Sequence, residues 1–129
     1  MTIKVDISYG EFLDKLSILE IKSERIHDAA KLENINRELA LLRRLWAADP
    51  KSAIDISAEM AEMKAINEKL WQIEDDIRDK ERARCFDEEF IRLARAVYYS
   101  NDERAAIKRR LNEKLGSELV EEKSYADYR

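Results

Sequence analysis

Three residues, Gly10, Pro50 and Gly116, are all the glycine and proline in a chain of 129. Tight hairpins and bulges draw on those two residue types, so a strand-rich fold lacks its raw material here. Leu, Ala, Glu, Lys and Arg, the strong helix formers, fill the remainder. The expected fold class is all-α: an antiparallel bundle of about four long helices, set as two helical hairpins, with extended N- and C-terminal segments. The length suits one domain, expected as an extended segment 1–7, a helical bundle 8–116 and a docking tail 117–129.

The apolar spacing divides the chain. Ile3, Val5 and Ile7 alternate with polar residues, the period of an extended segment. Ser8-Tyr9-Gly10-Glu11 forms an S-x-x-E capping box, and Phe12, Leu16, Leu19 and Ile26, with Leu13 alongside, then share one helical face to about His27. Asp28 caps a second helix carrying Leu32, Ile35, Leu39, Leu42 and Trp46, which Asp49-Pro50 stops. After a loop or frayed turn at 52–57, Met63, Ile66, Leu70, Ile73 and Ile77 repeat steps of three and four to about Ala83, as the seam of a coiled-coil-like hairpin does. Asp87 is the cap expected for a fourth helix, with Phe86 stapled onto Ile91. Ser100-Asn101-Asp102-Glu103 predicts a kink or fresh start there, and Gly116 a left-handed stop. The tail holds Leu119, Val120, Tyr125 and Tyr128, and is expected to dock, most economically against Ile3–Ile7.

Charge narrows the function classes. Twenty-four basic and 28 acidic residues leave a net charge of -4, with the signs interspersed. Arg92, Arg95, Lys108, Arg109, Arg110 and Lys114 could form a basic strip, but Glu88, Glu89, Glu103 and Glu113 break it, so nucleic acid is an unlikely partner. Apolar runs such as Leu39–Leu42 fall far short of the roughly 18 residues of a membrane span, and no signal-peptide core follows Met1. Cys85 is the lone cysteine, in keeping with a reducing, cytoplasmic setting.

Catalytic signatures are sparse. There is no glycine-rich phosphate loop, and His27 has no second histidine to share a metal with. Glu59-x-x-Glu62 and Asp76-x-x-Asp79 imitate a magnesium-dependent nucleotide pyrophosphohydrolase. Both pairs fall on one expected helix, and residues 14 or more apart lie over ~20 Å apart at the helical rise, too far to share an ion within one chain, although a dimer could bring them together. No cofactor, metal ligand or catalytic residue is therefore assigned. A sharper constellation is the polar stripe Asn67, Trp71, Glu74, Arg78 and Glu81, beside the apolar seam of helix three. On helix four, Asn101, Arg104, Lys108 and Asn112 share the register of Val97 and Leu111. Charge at such positions must be paired, and the expected pairing is Glu74 or Glu20 with Arg104 or Lys108. The arrangement reads either as an ion network that fixes helix register or as a site for an anionic ligand.

The segments Asp14-Lys15-Leu16-Ser17-Ile18-Leu19-Glu20-Ile21-Lys22, Asn67 to Arg78 and Glu121-Glu122-Lys123-Ser124-Tyr125 resemble an uncharacterised bacterial family, a domain of unknown function, over essentially the whole chain. The resemblance implies no activity, although it suggests an association with surface-glycan assembly. It puts emphasis on Lys15, Glu20, Lys22, Asn67, Trp71, Glu74, Arg78, Asn101, Arg104, Lys108, Glu121, Glu122, Lys123 and Tyr125. In the corresponding hypothesis Lys123 and Tyr125 close over a pocket between helices one, three and four, and Glu121 or Glu122 pairs with Lys15 or Arg104. The first expectation for function is a non-enzymatic interaction or accessory protein. A bundle binding a small phosphate- or carboxylate-bearing ligand comes second, and the hydrolase third. A homo-oligomer, most simply a dimer, would cover Leu41, Leu45, Trp46 and Trp71.

Overall fold

The computed structural model describes residues 2–128. Met1 and Arg129, the outer ends of the expected terminal segments, lie outside the described residues. Four α-helices follow in order: α1 Tyr9–Arg25, α2 Ala29–Ala48, α3 Ser57–Arg82 and α4 Glu88–Leu115, with a 3-10 turn at Pro50–Ala53. Among the described residues there is no strand, and no helix is long and apolar enough to cross a membrane.

Local chemistry sets most of the boundaries. The Ser8 side chain accepts from the Glu11 amide at the start of α1, Asp28 from the Lys31 amide at α2, and Asp87 from the Phe90 amide at α4. Asp49 caps the 3-10 turn, which with the non-helical residues 54–56 makes the loop or frayed turn expected at 52–57. Gly116 ends α4 at φ 64°, where a side chain would be strained. The turn from α3 to α4 passes through Arg84 at φ 51°, a left-handed residue in a position that usually takes glycine.

Two expectations at α4 fail. The helix runs unbroken through Ser100–Glu103: Ser100 is buried within a seam that continues from Leu93 to Ile107 and Leu111, and packing on both sides outweighs the poor local propensity. Phe86 does not staple onto Ile91, which is exposed. Its ring meets Phe90 edge-on at 5.1 Å.

The helices form two hairpins, but their roles differ. α3 and α4 pack along each other, their antiparallel register marked by ion pairs Lys114–Glu59 and Arg110–Glu62. α1 packs on α2, α3 and α4, whereas α2 packs chiefly on α1. α1 is thus the central helix. Its Leu13, Leu16 and Leu19 meet Leu39 and Leu42 of α2, Met63 and Ile66 of α3, and Ile107, Leu111 and Leu115 of α4 in one core. Burial of each such side chain contributes roughly 1.5–3 kcal/mol.

The other side of α1 is small and polar: Gly10, Asp14 and Ser17 are all buried. A Cβ at Gly10 would lie 2.5 Å from the Lys108 carbonyl oxygen, so glycine is what lets α1 approach α4 this closely. The last turn of α1 reaches α3 through surface pairs, Glu24 with Lys64 and Arg25 with Glu68 and the Trp71 ring. Beyond it the α3–α4 hairpin projects on its own seam, with Ile73 and Leu93 buried between its arms.

The terminal segments stay on the surface. Ile3 is 94% exposed, so the tail does not cover the N-terminal segment as expected. The contacts of the tail run back along α4 instead: Glu121 to Lys108, Glu122 to Arg109, and Tyr128 to Asp102 and the Tyr98 and Tyr99 rings. Opposite charge on α4 and a ring pair for Tyr128 supply there what the polar-flanked Ile3–Ile7 segment cannot.

Candidate functional site

Where α1 lies against α4, small and polar residues replace the leucines, and charge enters the interior. Asp14 is only 1% exposed. A carboxylate so far from water is tolerable only when paired, and Arg104 supplies the pair as a fork: Nε donates to both carboxylate oxygens at 3.0 and 3.1 Å, and Nη2 to Oδ2 at 2.5 Å. Asn67 of α3 donates to Asp14 Oδ1 at 2.9 Å, so one carboxylate ties three helices together. The hydrogen bonds it donates to Asp14 hold the Arg104 guanidinium above its ordinary pKa, against the desolvation that would lower it.

One turn on, Lys108 carries the second internal cation. Its side chain is 9% exposed, and its ammonium sits 2.9 Å from Glu11 and 2.6 Å from Glu121. Burial pushes this ammonium down, but hydrogen bonds to Glu11 and Glu121 outweigh it and leave the pKa raised. The same contact holds the Glu121 carboxyl below its ordinary value. The second oxygen of Glu121 lies 3.4 Å from Lys123, so this carboxylate bridges two ammonium groups. At the next turn Asn112 accepts from the Gly10 amide at 2.7 Å. Asn101, Arg104, Lys108 and Asn112 thus form one face of α4 turned towards α1.

Two openings flank this row. One, of about 220 Å³, is polar and is bordered by Glu11, Lys108, Glu121 and Lys123. The other, of about 410 Å³, is lined by Ile18, Ile21, Leu70, Trp71 and the charged Glu74 and Arg78. Asn101 and Arg104 border both, so the two openings adjoin; taken together as a cleft, they have a polar end and an end whose apolar, aromatic floor is edged by Lys22, Glu74, Asp75 and Arg78.

Of the residues expected at a site, the structure brings Asn67, Trp71, Glu74, Arg78, Asn101, Arg104, Lys108, Glu121 and Lys123 to this cleft. Three lie elsewhere. Lys15 turns to Glu38 and Glu20 to Arg43, both on α2, because their positions on α1 point around the helix from Asp14. Tyr125 is exposed, with Lys123 over its ring at 5.7 Å, and closes over nothing. Expected partners also change. Arg104 and Lys108 are met by Asp14, Glu11 and Glu121, whereas Glu74 pairs with Arg78 on its own helix. Glu122 joins Arg109.

Asp14 and Glu11 were missed as site residues because they fall off the leucine face of α1. The available signal was Gly10 and Ser17: small residues a helical stripe away from the leucines mark a second close-packed face. Among the described residues, no three His, Cys, Asp or Glu side chains are grouped to hold a metal ion. Glu59 and Glu62, half of the imitated acidic motif, pair with Lys114 and Arg110.

No curated protein and no solved structure matches the chain. A family model does, over residues 3–128, and its description is "Family of unknown function (DUF6165)". This agrees with the resemblance carried by the α1, α3 and tail motifs, and the chain belongs to that family of unknown function.

Proposed function

We propose that this chain is a non-enzymatic accessory protein that binds a small phosphate- or carboxylate-bearing ligand in the cleft between α1, α3 and α4. The observation that carries the reading is Lys108, an ammonium nine-tenths buried in a cleft wall, one of whose two carboxylate partners comes from a surface tail. A cation that only fixes helix register is better served by an internal partner, as Arg104 is by Asp14. The apolar end of the cleft, at about 410 Å³, falls within the ~300–1,000 Å³ of small-molecule sites. The reading assigns no reaction, and it is a proposal of ligand binding in a reducing, cytoplasmic setting.

Its test is a thermal-shift series on the purified chain with inorganic phosphate, nucleotides, sugar nucleotides and short carboxylates, since a ligand of the native state raises the midpoint by mass action. The expected result is a rise with at least one anion that is lost in Lys108→Gln. A flat response to every anion from a folded protein would overturn the reading.

A second reading, self-association as a dimer, has its own support. Leu41 and Leu45 on the outer face of α2, and Phe86 and Ile91 at the hairpin tip, are each about half exposed. Sedimentation equilibrium checks it: a monomer at all concentrations removes this reading and leaves the first intact.

A further inference from the structure

The Glu121 carboxylate occupies the polar end of the cleft as a ligand would. It lies between Lys108 and Lys123, one oxygen towards each, at 2.6 and 3.4 Å. The two sides of this contact are unequal. The Glu121 side chain is 40% exposed and can swing into water, while Lys108 is 9% exposed and cannot follow it. Departure of Glu121 leaves a desolvated ammonium with Glu11 as its one remaining carboxylate partner, and that deficit attracts a replacement anion.

We propose that Glu121 is a built-in competitor for the ligand of this cleft, and that the ligand is a small monocarboxylate with an apolar or aromatic body. This rests on the binding reading above and specifies its ligand. Charge selects the class. With Glu121 swung away, Arg104, Lys108 and Lys123 face Glu11 and Asp14, an excess of one positive charge. A single carboxylate restores neutrality as Glu121 does, whereas a phosphate dianion overshoots it beside Glu11. The shape of the cleft selects the body. Past Asn101 and Arg104 the floor becomes Ile18, Ile21, Leu70 and Trp71, which suits an apolar or aromatic group, while Lys22 and Arg78 at its edge are balanced in number by Glu74 and Asp75 and leave no net charge to draw in a second anion. Arg104 stands between the two ends with its fork committed to Asp14, so it borders the ligand while remaining a structural cation.

The experiment is titration of the full chain, followed by NMR, with phenylacetate, acetate and inorganic phosphate, for the wild type and for Glu121→Gln. Glu121→Gln alters an exposed side chain and should fold as the wild type does. The expected result is that phenylacetate perturbs Lys108 and the Trp71 indole together, binds more tightly than acetate or phosphate, and gains about tenfold in affinity in Glu121→Gln as the ion-paired competitor is removed. Equal phenylacetate affinity in both proteins overturns the competitor role while the binding reading stands. Phosphate binding at least as tightly as phenylacetate overturns the ligand class. No perturbation by any of the three in either folded protein overturns this proposal; the binding reading itself fails only if the wider thermal-shift series is also flat.

Discussion

At the residue scale, the Asp14–Arg104 fork decides how the cleft responds to substitution. Asp14 is enclosed on all sides, so removing Arg104 leaves a buried carboxylate with only Asn67 and nearby dipoles to stabilise it. Arg104→Met should therefore destabilise the chain by about 3–5 kcal/mol in chemical denaturation, whereas Asp14→Leu combined with Arg104→Met should restore much of the loss. Additive losses in the double variant would show that the pair is not coupled. The pair also marks the limit of what the sequence reveals at this scale. Arg104 and Lys108 stand out because they interrupt an apolar register on α4. Asp14 lies next to Leu13 on a helix whose leucines already account for one face, and nothing in periodicity alone says that a second face is buried. Glu121 was expected to pair with Lys15 or Arg104, and it meets Lys108, because residue spacing does not fix where an extended tail crosses a helix.

At the element scale, helix caps were the most legible feature, because a capping side chain acts within three residues of itself. Ser8, Asp28, Asp87 and Gly116 all stand at helix ends as expected. The kink expected at Ser100 was not legible, since burial between two arms of a hairpin is a property of the neighbouring helix. Asp87 offers a measurable consequence. The Phe90 amide and then the Lys80 ammonium draw its carboxyl down from 3.8 to about 2. A pKa lower in the folded than in the unfolded chain means that the cap contributes in full above the unfolded value of 3.8 and is lost as pH falls towards 2. Protection of the Phe90 and Ile91 amides, taken relative to their intrinsic exchange rates, should accordingly fall between those values, and Asp87→Asn should show no such step. An unchanged step in Asp87→Asn would assign it to another group.

At the scale of the whole molecule, the all-α architecture and the two hairpins could be read from composition and seam spacing, but the central place of α1 could not. Centrality depends on which faces meet, and that is settled by the close approach at Gly10 and by ion pairs between helices distant in sequence. Those distances carry a further consequence. Asp14 and Arg104 are 90 residues apart, and the Gly10–Asn112 contact spans 102, whereas α3 and α4 meet through a short turn. Closing a long loop costs more entropy than zipping a local hairpin. The α3–α4 hairpin should therefore form early along the folding route, and the cleft should assemble last, when α1 lays down on it. On that order, Arg104→Met should chiefly accelerate unfolding and hardly slow folding in stopped-flow kinetics, while a core truncation between the hairpin arms, such as Leu93→Ala, should slow folding as well. A large fall in folding rate for Arg104→Met would place the cleft in the nucleus. On that order the cleft between α1, α3 and α4 is the part of this chain that is made last and opened first.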